Sequence, residues 1–427
     1  MPEERKPVTA LFAADRRDVW LITTARGLRS FAYGLLAVLL GVALSNEGFS
    51  PVAIGALITV SLAGDLVSTY VIGLFGDRWG RRRTIAGLAL LMAATGAVFG
   101  LTHVYPILLM AAFFGTLGAT ASETAPFLPL EQAMISQASP PEGRTDAYAR
   151  YNLVASLAAA LGSLSAALPD LLTHLGLSLT AGIRLMFGLY AVLALVVTLL
   201  VLRLTPRVEL HLAVPAKTGW RQLLPPLRAS RGIVLRLAGL FSLDAFAGGL
   251  VVQSLMVLFF HLRFGVPLAA LGVFVFAANI CSALSVLGAA RLARRFGLLN
   301  TMVFTHLPSN VLLALVPLMP SFPPAAALFL VRQILSQMDV PTRQAYTMAL
   351  VNPEERTAAA SVTSLARSGG AGCSPALSGL LLQGPMLALG LPFLFAGGLK
   401  AAYDLALWVT FRRVPVEQDA VSARASQ

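Results

Sequence analysis

Eight side chains that can bind ions or exchange protons lie within long apolar stretches of this sequence. Four are acidic, three are basic and one is a tyrosine: Arg29, Tyr33, Asp65, Glu123, Asp244, Arg332, Asp339 and Arg343. A charge at the centre of a lipid bilayer costs roughly 2.5–3.5 kcal/mol even on the insertion scale that gives the lower values. Because such residues need a partner or a wet cavity, we interpret them as candidates for substrate binding and proton exchange. Structural ion pairing is the alternative for the four acids.

The spacing of the first basic residues indicates a polar helix face. Arg26, Arg29 and Tyr33 follow one another at intervals of three and four residues, which places them on one side of a helix. Arg29 lies about ten residues, or roughly 15 Å, into its apolar segment. An internal repeat aligns Arg29 with Asp244, so we expect these two side chains to face one cavity and to bind substrate or exchange partners.

Two later segments carry further charges. Asp339 lies four residues before Arg343, with Pro341 between them, which predicts a kinked helix that lines a cavity. Asp404 follows Lys400 by four residues. Since residues four apart are neighbours on a helix surface, we expect Lys400 and Asp404 to form a structural ion pair.

Membrane-spanning helices must position these side chains. The 427 residues are 57% hydrophobic and 12% charged, with a mean hydropathy of +0.76, whereas soluble proteins contain about 25% charged residues. A spanning helix needs roughly 20 apolar residues. Twelve apolar segments occur, six on each side of a polar stretch, at about 19–44, 52–76, 84–102, 106–128, 149–172, 181–202, 233–260, 268–293, 299–319, 323–349, 360–383 and 387–411. The sequence therefore predicts an all-α polytopic membrane protein with 12 transmembrane helices.

The basic residues predict the orientation. With a cytoplasmic N-terminus, 24 Lys and Arg residues fall on the inner side and only Arg184 and Arg263 fall on the outer side, as the positive-inside rule requires. Both termini are therefore predicted to be cytoplasmic. The net charge of +12 lies at the ends of apolar segments and forms no basic face with aromatic platforms, which excludes a nucleic-acid partner.

The sequence is duplicated internally. Three groups of residues recur at offsets of 212, 215 and 217 positions: Pro129 to Thr145 as Pro341 to Thr357, Phe31-Ala32-x-Gly34 as Phe246-Ala247-x-Gly249, and Gly80 as Gly297. Such a duplication indicates two parallel six-helix halves. The predicted domains are a cytoplasmic tail, the first half, a cytoplasmic linker, the second half and a second cytoplasmic tail, at 1–18, 19–202, 203–232, 233–411 and 412–427.

The most specific motif lies between the second and third apolar segments. It reads Gly73-Leu74-Phe75-Gly76-Asp77-Arg78-Trp79-Gly80-Arg81-Arg82-Arg83. Its glycines permit a close helix approach and a tight turn. An ordinary basic loop at the membrane surface accounts for the arginines but not for Asp77. The motif resembles the cytoplasmic loop between helices 2 and 3 of the major facilitator superfamily.

This resemblance extends over nearly the whole chain and implies the superfamily's fold of two pseudo-symmetric six-helix halves. It also implies a cytoplasmic gate, in which the aspartate helps to hold the two halves together. The residues of this gate would be Gly73, Asp77, Arg78, Gly80 and Arg82. Two features depart from the family pattern. The stretch from Leu109 to Ala121 lacks the early arginine of many members, and the fifth segment lacks the Gly-Pro pair of drug antiporters.

We expect the protein to be no enzyme but a secondary active transporter of a small solute that works by alternating access. The membrane carboxylates favour the proton gradient as the energy source, without a cofactor or metal, and we predict efflux by an antiporter. The alternatives are a proton-driven importer or facilitator of an organic anion, a lipid scramblase, or a membrane-embedded enzyme. The importer would use Arg29, Arg332 and Arg343 as carboxylate-binding donors. We predict a monomer in the inner (plasma) membrane, whose partners are the lipid bilayer and a small-molecule substrate.

Overall fold

The computed structural model describes residues 8–118, 126–139, 143–209 and 230–414. The regular elements in these ranges are helices. The α-helices are α1 Val8–Asn46, α2 Pro51–Trp79, α3 Arg81–Leu101, α4 Tyr105–Phe114, α5 Leu128–Ala138, α6 Arg144–Ser165, α7 Leu168–Thr173, α8 Leu179–Leu202, α9 Arg231–Gly249, α10 Gln253–Phe264, α11 Leu268–Phe296, α12 Leu298–Leu315, α13 Phe322–Ser336, α14 Asp339–Leu350, α15 Arg356–Leu381, α16 Pro385–Leu389 and α17 Leu391–Phe411. Short 3₁₀ turns lie at Pro206–Val208, Val316–Leu318 and Pro353–Glu355.

Helix length and composition identify a multi-pass membrane protein. Within the described ranges, eight helical segments are long and apolar enough to cross a membrane: Arg16–Asn46, Pro51–Trp79, Arg81–Leu101, Asp146–Thr173, Leu179–Leu202, Arg231–Phe264, Leu268–Phe296 and Leu298–Leu318. The total of twelve spans and the cytoplasmic position of both termini stay predictions.

The predicted kink at Pro341 is a complete helix break. Proline has no N–H and cannot donate to the carbonyl of Gln337, four residues earlier. Helix α13 therefore ends at Ser336 and α14 begins at Asp339. Between them, the Val340 N–H donates to the Gln337 carbonyl across 3.4 Å. The break brings polar side chains to the ends of two short helices.

The first helix begins earlier than the boundary predicted at residue 19. Helix α1 starts at Val8, because the residues from Val8 to Asp18 contain neither glycine nor proline and so continue the helix. Asp18 is buried. Its carboxylate accepts hydrogen bonds from the Thr205 N–H at 3.1 Å and from the Thr205 hydroxyl at 2.5 Å, which fixes the start of α1 to the residues after α8.

Packing divides the chain into two units that differ from the predicted halves. The first unit is Met1–Phe49, Val60–Val214 and Pro267–Phe276, and the second is Ser50–Thr59, Pro215–Val266 and Ala277–Gln427. The start of α2 belongs to the second unit because Gly55 lies against α15, where a Cβ atom would approach the Pro375 carbonyl oxygen to 2.4 Å. The start of α11 belongs to the first unit, since the Ala269 N–H donates to Asp170 at 2.7 Å.

Equivalent helix pairs pack in both units. Helix α1 packs against α6 and α8 in the first unit, and α9 packs against α15 and α17 in the second. A Cβ atom at Gly34 would lie 2.0 Å from the Ala159 carbonyl oxygen, and one at Gly249 would lie 2.0 Å from the Ser374 hydroxyl. Gly34 and Gly249 are equivalent in the sequence repeat. The duplication is therefore expressed in helix packing, where glycine permits the close approach.

Candidate functional site

The motif from Gly73 to Arg83 forms the turn between α2 and α3. Gly80 adopts a φ of 89° and its repeat equivalent, Gly297, a φ of 81° at the turn between α11 and α12. Residues with a Cβ atom rarely adopt such angles. Arg81 is buried, and its Nε donates to the Asp77 carboxylate at 2.7 Å. Its Nη1 donates to the side-chain oxygen of Gln137 at 2.8 Å. Arg81 is thus the motif arginine that fixes this turn, and the predicted gating role stays a prediction.

A carboxylate outside the motif holds the motif's backbone. Glu209 accepts hydrogen bonds from the N–H groups of Arg81 at 2.6 Å and of Arg82 at 3.1 Å. Both amides lie at the N-terminus of α3, where unpaired N–H groups and the helix dipole favour an anion. The Arg82 guanidinium donates to the Leu202 carbonyl at 2.6 Å. Glu209 could not be predicted as a partner of the motif, because it lies far from the motif along the chain.

One expectation for the motif is wrong. Gly73 was expected to let α2 approach a neighbouring helix, but no atom of the described residues lies within 4 Å of the position of a Cβ at Gly73. Gly76 makes the close approach instead, since a Cβ atom there would lie 3.1 Å from the Leu130 side chain. The reason is that the Leu130 side chain of α5 lies against Gly76 and not against Gly73.

The first charge cluster, formed by Arg29, Glu131 and Tyr151, is buried in the first unit. Arg29 donates through Nη1 and Nη2 to the two carboxylate oxygens of Glu131, each at 2.6 Å. The Tyr151 hydroxyl donates to Glu131 Oε2 at 2.6 Å. The guanidinium also lies 4.1 Å from the ring centre of Phe127. A buried ion pair is favourable only when further hydrogen bonds satisfy its members. Here both oxygens of Glu131 are used, while the buried Arg29 Nε makes no hydrogen bond.

Two further predicted site residues lie in the first unit, and a third lies outside the described ranges. Tyr33 is buried one turn after Arg29, with its ring against Gly118. Asp65 is 8% exposed in α2, and its carboxylate has no hydrogen-bond or ion-pair partner in the described ranges. Glu123 lies outside the described residues. Asp65 is therefore a carboxyl group that can bind a proton without breaking an ion pair.

The second charge cluster surrounds Asp244 of α9 in the second unit. Lys400 of α17 donates to Asp244 Oδ1 at 2.5 Å, while Arg367 of α15 and Arg343 of α14 donate to Oδ2 at 3.0 and 3.3 Å. Arg343 also donates to Asp339 at 2.6 Å. The structure thus brings together three predicted site residues, Asp244, Asp339 and Arg343. It adds Lys400 and Arg367, to which the sequence assigned no place in the site.

Arg332 of α13 lies beside this cluster without an acidic hydrogen-bond partner in the part of the chain that the structure describes. Its Nη1 donates to the side-chain oxygen of Gln333, and its guanidinium carbon lies 5.4 Å from the ring centre of Phe329. Its Nε is buried and makes no hydrogen bond. Gln333 is held in turn, since its Nε2 donates to the Ser282 hydroxyl at 2.7 Å. Neutral groups therefore hold this cation in place.

The predicted ion pair between Lys400 and Asp404 is wrong. Lys400 contacts Asp244, whereas Asp404 contacts Nδ1 of His306 at 2.9 Å and accepts a hydrogen bond from Asn310 at 2.8 Å. Helix α17 packs against both α9 and α12. Side chains four residues apart on α17 therefore meet different neighbouring helices, and each takes a partner there.

Arg29 and Asp244 each form an ion pair inside their own unit, so their predicted shared cavity stays a prediction. The repeat that aligns Arg29 with Asp244 also aligns Glu131 with Arg343, 212 positions apart. The same ion pair therefore occurs in both units with the charges exchanged. This offset was the signal that could have identified Glu131 from the sequence.

A cavity of about 430 Å³ lies at the ends of α1, α3 and α8. Its polar lining includes Glu47, His103 and Arg184, and none of the eight predicted site residues lines it. Burial raises the pKa of the Glu47 carboxyl, while His103 and Arg184 act in the opposite direction. Among the described residues, no group of three or more His, Cys, Asp or Glu side chains could hold a metal ion.

Comparison with known families decides the assignment. A sequence model of the Major Facilitator Superfamily matches residues 22–335, more than half of the chain. The chain belongs to the Major Facilitator Superfamily. The fold expected from the loop motif and the duplication is confirmed. This Major Facilitator chain is a multi-pass membrane protein with the fold of that superfamily's solved transporters.

Similar proteins show how far the likeness extends. An uncharacterized membrane protein of Saccharomyces cerevisiae is 27% identical over 428 residues, which cover 94% of this chain and 95% of the yeast protein. The solved nucleoside transporter NupG has a TM-score of 0.73 at 14% identity and covers 92% of this chain and 99% of its own. A D-xylose-proton symporter has a TM-score of 0.67 at 15% identity, with 92% and 97% covered. These solved structures share the Major Facilitator fold with this chain.

Proposed function

We propose that this protein is a proton-coupled secondary active transporter that moves a small solute by alternating access. Asp65 carries the proposal of proton coupling. It is a buried carboxyl group in a spanning helix and has no partner in the described ranges. Protonation of Glu131 would leave Arg29 as an unpaired buried charge, which costs several kcal/mol, whereas protonation of Asp65 breaks no ion pair. The D-xylose-proton symporter, which shares the fold, supports the same kind of coupling.

The finer parts of the proposal follow the sequence-based expectation. We propose that the protein exports the solute in exchange for protons. It would act as a monomer in the plasma membrane, with the proton gradient as its energy source and without a cofactor. Asp77 and the turn that Arg81 fixes would act as the cytoplasmic gate. The ion pair between Arg81 and Asp77 supports this role because it joins α3 to the exposed end of α2.

Proton-driven import or facilitated movement of an organic anion is the second candidate function. The observation that favours it is the excess of basic side chains around Asp244. Lys400, Arg343 and Arg367 all contact this single carboxylate. Counterflow distinguishes this candidate from export of other solutes, because only an anion carrier exchanges labelled for unlabelled anion across the membrane.

The test is solute-dependent proton movement in liposomes that contain the purified protein and the pH dye pyranine. A neutral sugar (D-xylose), a nucleoside (uridine), an anion (succinate) and a cation (choline) are added outside in turn. We expect at least one of them to change the internal pH, and a reversed pH gradient to reverse the direction of transport. Solute transport that is the same with and without a pH gradient would contradict proton coupling. Protein-free liposomes are the control.

A further inference from the structure

We propose that the second charge cluster and Arg332 together form a binding site for a small organic oxyanion, which is the transported solute. The inference rests on the proposed transport function and adds the chemical class of the substrate. All of these side chains belong to the second unit, where the charges are out of balance.

The basic side chains at this site outnumber the acidic ones. Among the described residues, Arg343, Arg367 and Lys400 contact Asp244 or Asp339, and Arg332 lies within electrostatic reach of both acids. The adjacent Asp404 contacts His306 and adds a third acid. Four bases against three acids leave one positive charge in excess when His306 is neutral, and two when it is protonated. Since uncompensated charge in apolar surroundings is costly, a negatively charged solute is the group that completes the site.

Two arginines have hydrogen-bond donors to offer to this solute. The Arg367 side chain is 33% exposed and uses only Nη1 on Asp244. The remaining N–H groups of Arg367 make no hydrogen bond within the described ranges. The buried Nε of Arg332 also has no acceptor. Guanidinium groups bind carboxylate and phosphate through two parallel N–H donors, so an oxyanion is the ligand that these donors fit.

Both arginines are held in place before a ligand arrives. Asp244 holds Arg367, and Gln333 holds Arg332 from a position fixed by Ser282. A preorganised donor loses less conformational entropy when it binds. Arg367 is therefore fixed by one carboxylate and Arg332 by one amide. Both guanidinium groups keep N–H donors for the solute.

The ion pair of the first unit leaves less capacity for an anion. There the two Nη groups of Arg29 already bind both oxygens of Glu131. An anion at that site would have to displace Glu131 from a bidentate ion pair. The anion site is therefore assigned to the second unit.

The test measures binding to the purified full-length protein in detergent, without a proton gradient. Sodium succinate, sodium citrate and sodium phosphate are added, and the midpoint of thermal unfolding, Tm, is followed by tryptophan fluorescence. The controls are succinamide, which is a neutral analogue of succinate, and sodium chloride at the same ionic strength as the oxyanion salts. A ligand that binds the folded state raises Tm with concentration. We expect at least one oxyanion to do so and both controls to have no such effect. Comparison of phosphate with succinate and citrate shows whether the site binds phosphate or carboxylate.

Two substitutions locate the site. Arg367→Gln and Arg332→Gln each remove one donor group and leave Asp244 paired with other cations. We expect each to weaken oxyanion binding by about tenfold or more, as the loss of a charge-assisted hydrogen bond predicts. Arg367→Lys keeps the charge and should recover part of the affinity. The exposed Arg291 provides the matched control, and Arg291→Gln should bind like the unmodified protein.

The outcomes separate this inference from the proposed function. Equal stabilisation by oxyanions and by the controls overturns the anion site, as does oxyanion binding that neither substitution changes. Proton-coupled transport of a neutral or cationic solute without oxyanion binding also overturns it and leaves the transport function standing. Oxyanion binding at this site without proton-dependent transport supports the site and contradicts the coupling.

Discussion

Glu131 and Arg343 occupy equivalent positions in the two sequence repeats, yet one is an acid and the other a base. Their partners, Arg29 and Asp244, are also equivalent in the repeat. Glu131 binds Arg29 at 2.6 Å, and Arg343 lies 3.3 Å from Asp244. The first ion pair is closed by the Tyr151 hydroxyl. The second is shared with further cations. In the first repeat one carboxylate thus binds one arginine, whereas in the second repeat one carboxylate is shared by three basic side chains.

The pair of Arg29 and Glu131 should dominate the stability of the first unit. Glu131→Gln leaves a buried guanidinium without its counter-charge, which costs about 3–5 kcal/mol. We expect a large fall in Tm in detergent. The double substitution of Arg29→Met with Glu131→Leu removes both charges and should be much less destabilised than the two single losses added together. A double variant as unstable as that sum would show that the ion pair is not the source of the effect.

Asp65 should be required for proton coupling and dispensable for folding. Because the Asp65 carboxylate has no partner in the described ranges, Asp65→Asn should leave Tm nearly unchanged. In liposomes, this variant should lose proton-driven accumulation but retain exchange of labelled for unlabelled solute. Asp146→Asn, at an exposed position in α6, is the matched control and should accumulate solute normally. Normal accumulation by Asp65→Asn would exclude Asp65 as the coupling residue.

Arg81 should be the most sensitive arginine of the loop motif. It is buried and donates to Asp77 and Gln137, and hydrogen bonds between charged groups contribute about 1.5–3 kcal/mol. We expect Arg81→Gln to lower both Tm and the transport rate. Arg83→Gln removes an exposed arginine two residues later and serves as the control. Equal effects of the two substitutions would contradict a special role for Arg81.

The glycines between α1 and α6 should tolerate no added methyl group. Gly34→Ala would place a Cβ atom 2.0 Å from the Ala159 carbonyl oxygen, and overpacking of this kind costs about 1–3 kcal/mol. We expect a lower Tm and a weaker contact between the two helices. Gly87→Ala is the control, because that Cβ would meet no atom of the described residues within 4 Å. A Tm for Gly34→Ala equal to that of the control would contradict the close approach.

Glu47 should make stability depend on pH in a defined direction. Burial raises the pKa of this carboxyl above its ordinary value of 4.5, so the folded state favours the protonated form. Protonated Glu47 therefore contributes to the free energy of unfolding at a pH below the unfolded-state pKa. This contribution is lost as the pH rises through the folded-state pKa. Glu47→Gln mimics the protonated form, so its Tm should gain on that of the unmodified protein as the pH rises above the ordinary value of 4.5. Glu354→Gln, at an exposed acid, should show no such trend.

The helical class, the duplication and the turn at Gly80 could be predicted because they depend on local pattern. Apolar segment length, recurring glycines and a loop motif are all visible along the chain. A kink at Pro341 could also be predicted, because a proline removes one defined hydrogen bond, whereas the complete break into α13 and α14 was not predicted. These features need no knowledge of which helices are neighbours.

The partners of the buried charges could not be predicted in the same way. Lys400 and Asp404 have ideal helical spacing, yet α17 faces two different helices and each side chain binds to one of them. Glu131 was missed because it lies near the end of a predicted segment and has no charged neighbour within a helical turn. Glu209 was missed because its contact with α3 joins distant parts of the chain. Long-range helix packing decides all three contacts.

The exchanged polarity of the two repeats also has a consequence for how the chain assembles after synthesis. Duplicated helices can in principle pair with the wrong copy. If α1 packed on α14, Arg29 would meet Arg343, and if α9 packed on α5, Asp244 would meet Glu131. Like charges at short distance in a medium of low dielectric constant repel strongly. The reversal of sign therefore directs each helix to the partner in its own repeat and disfavours a domain-swapped bundle.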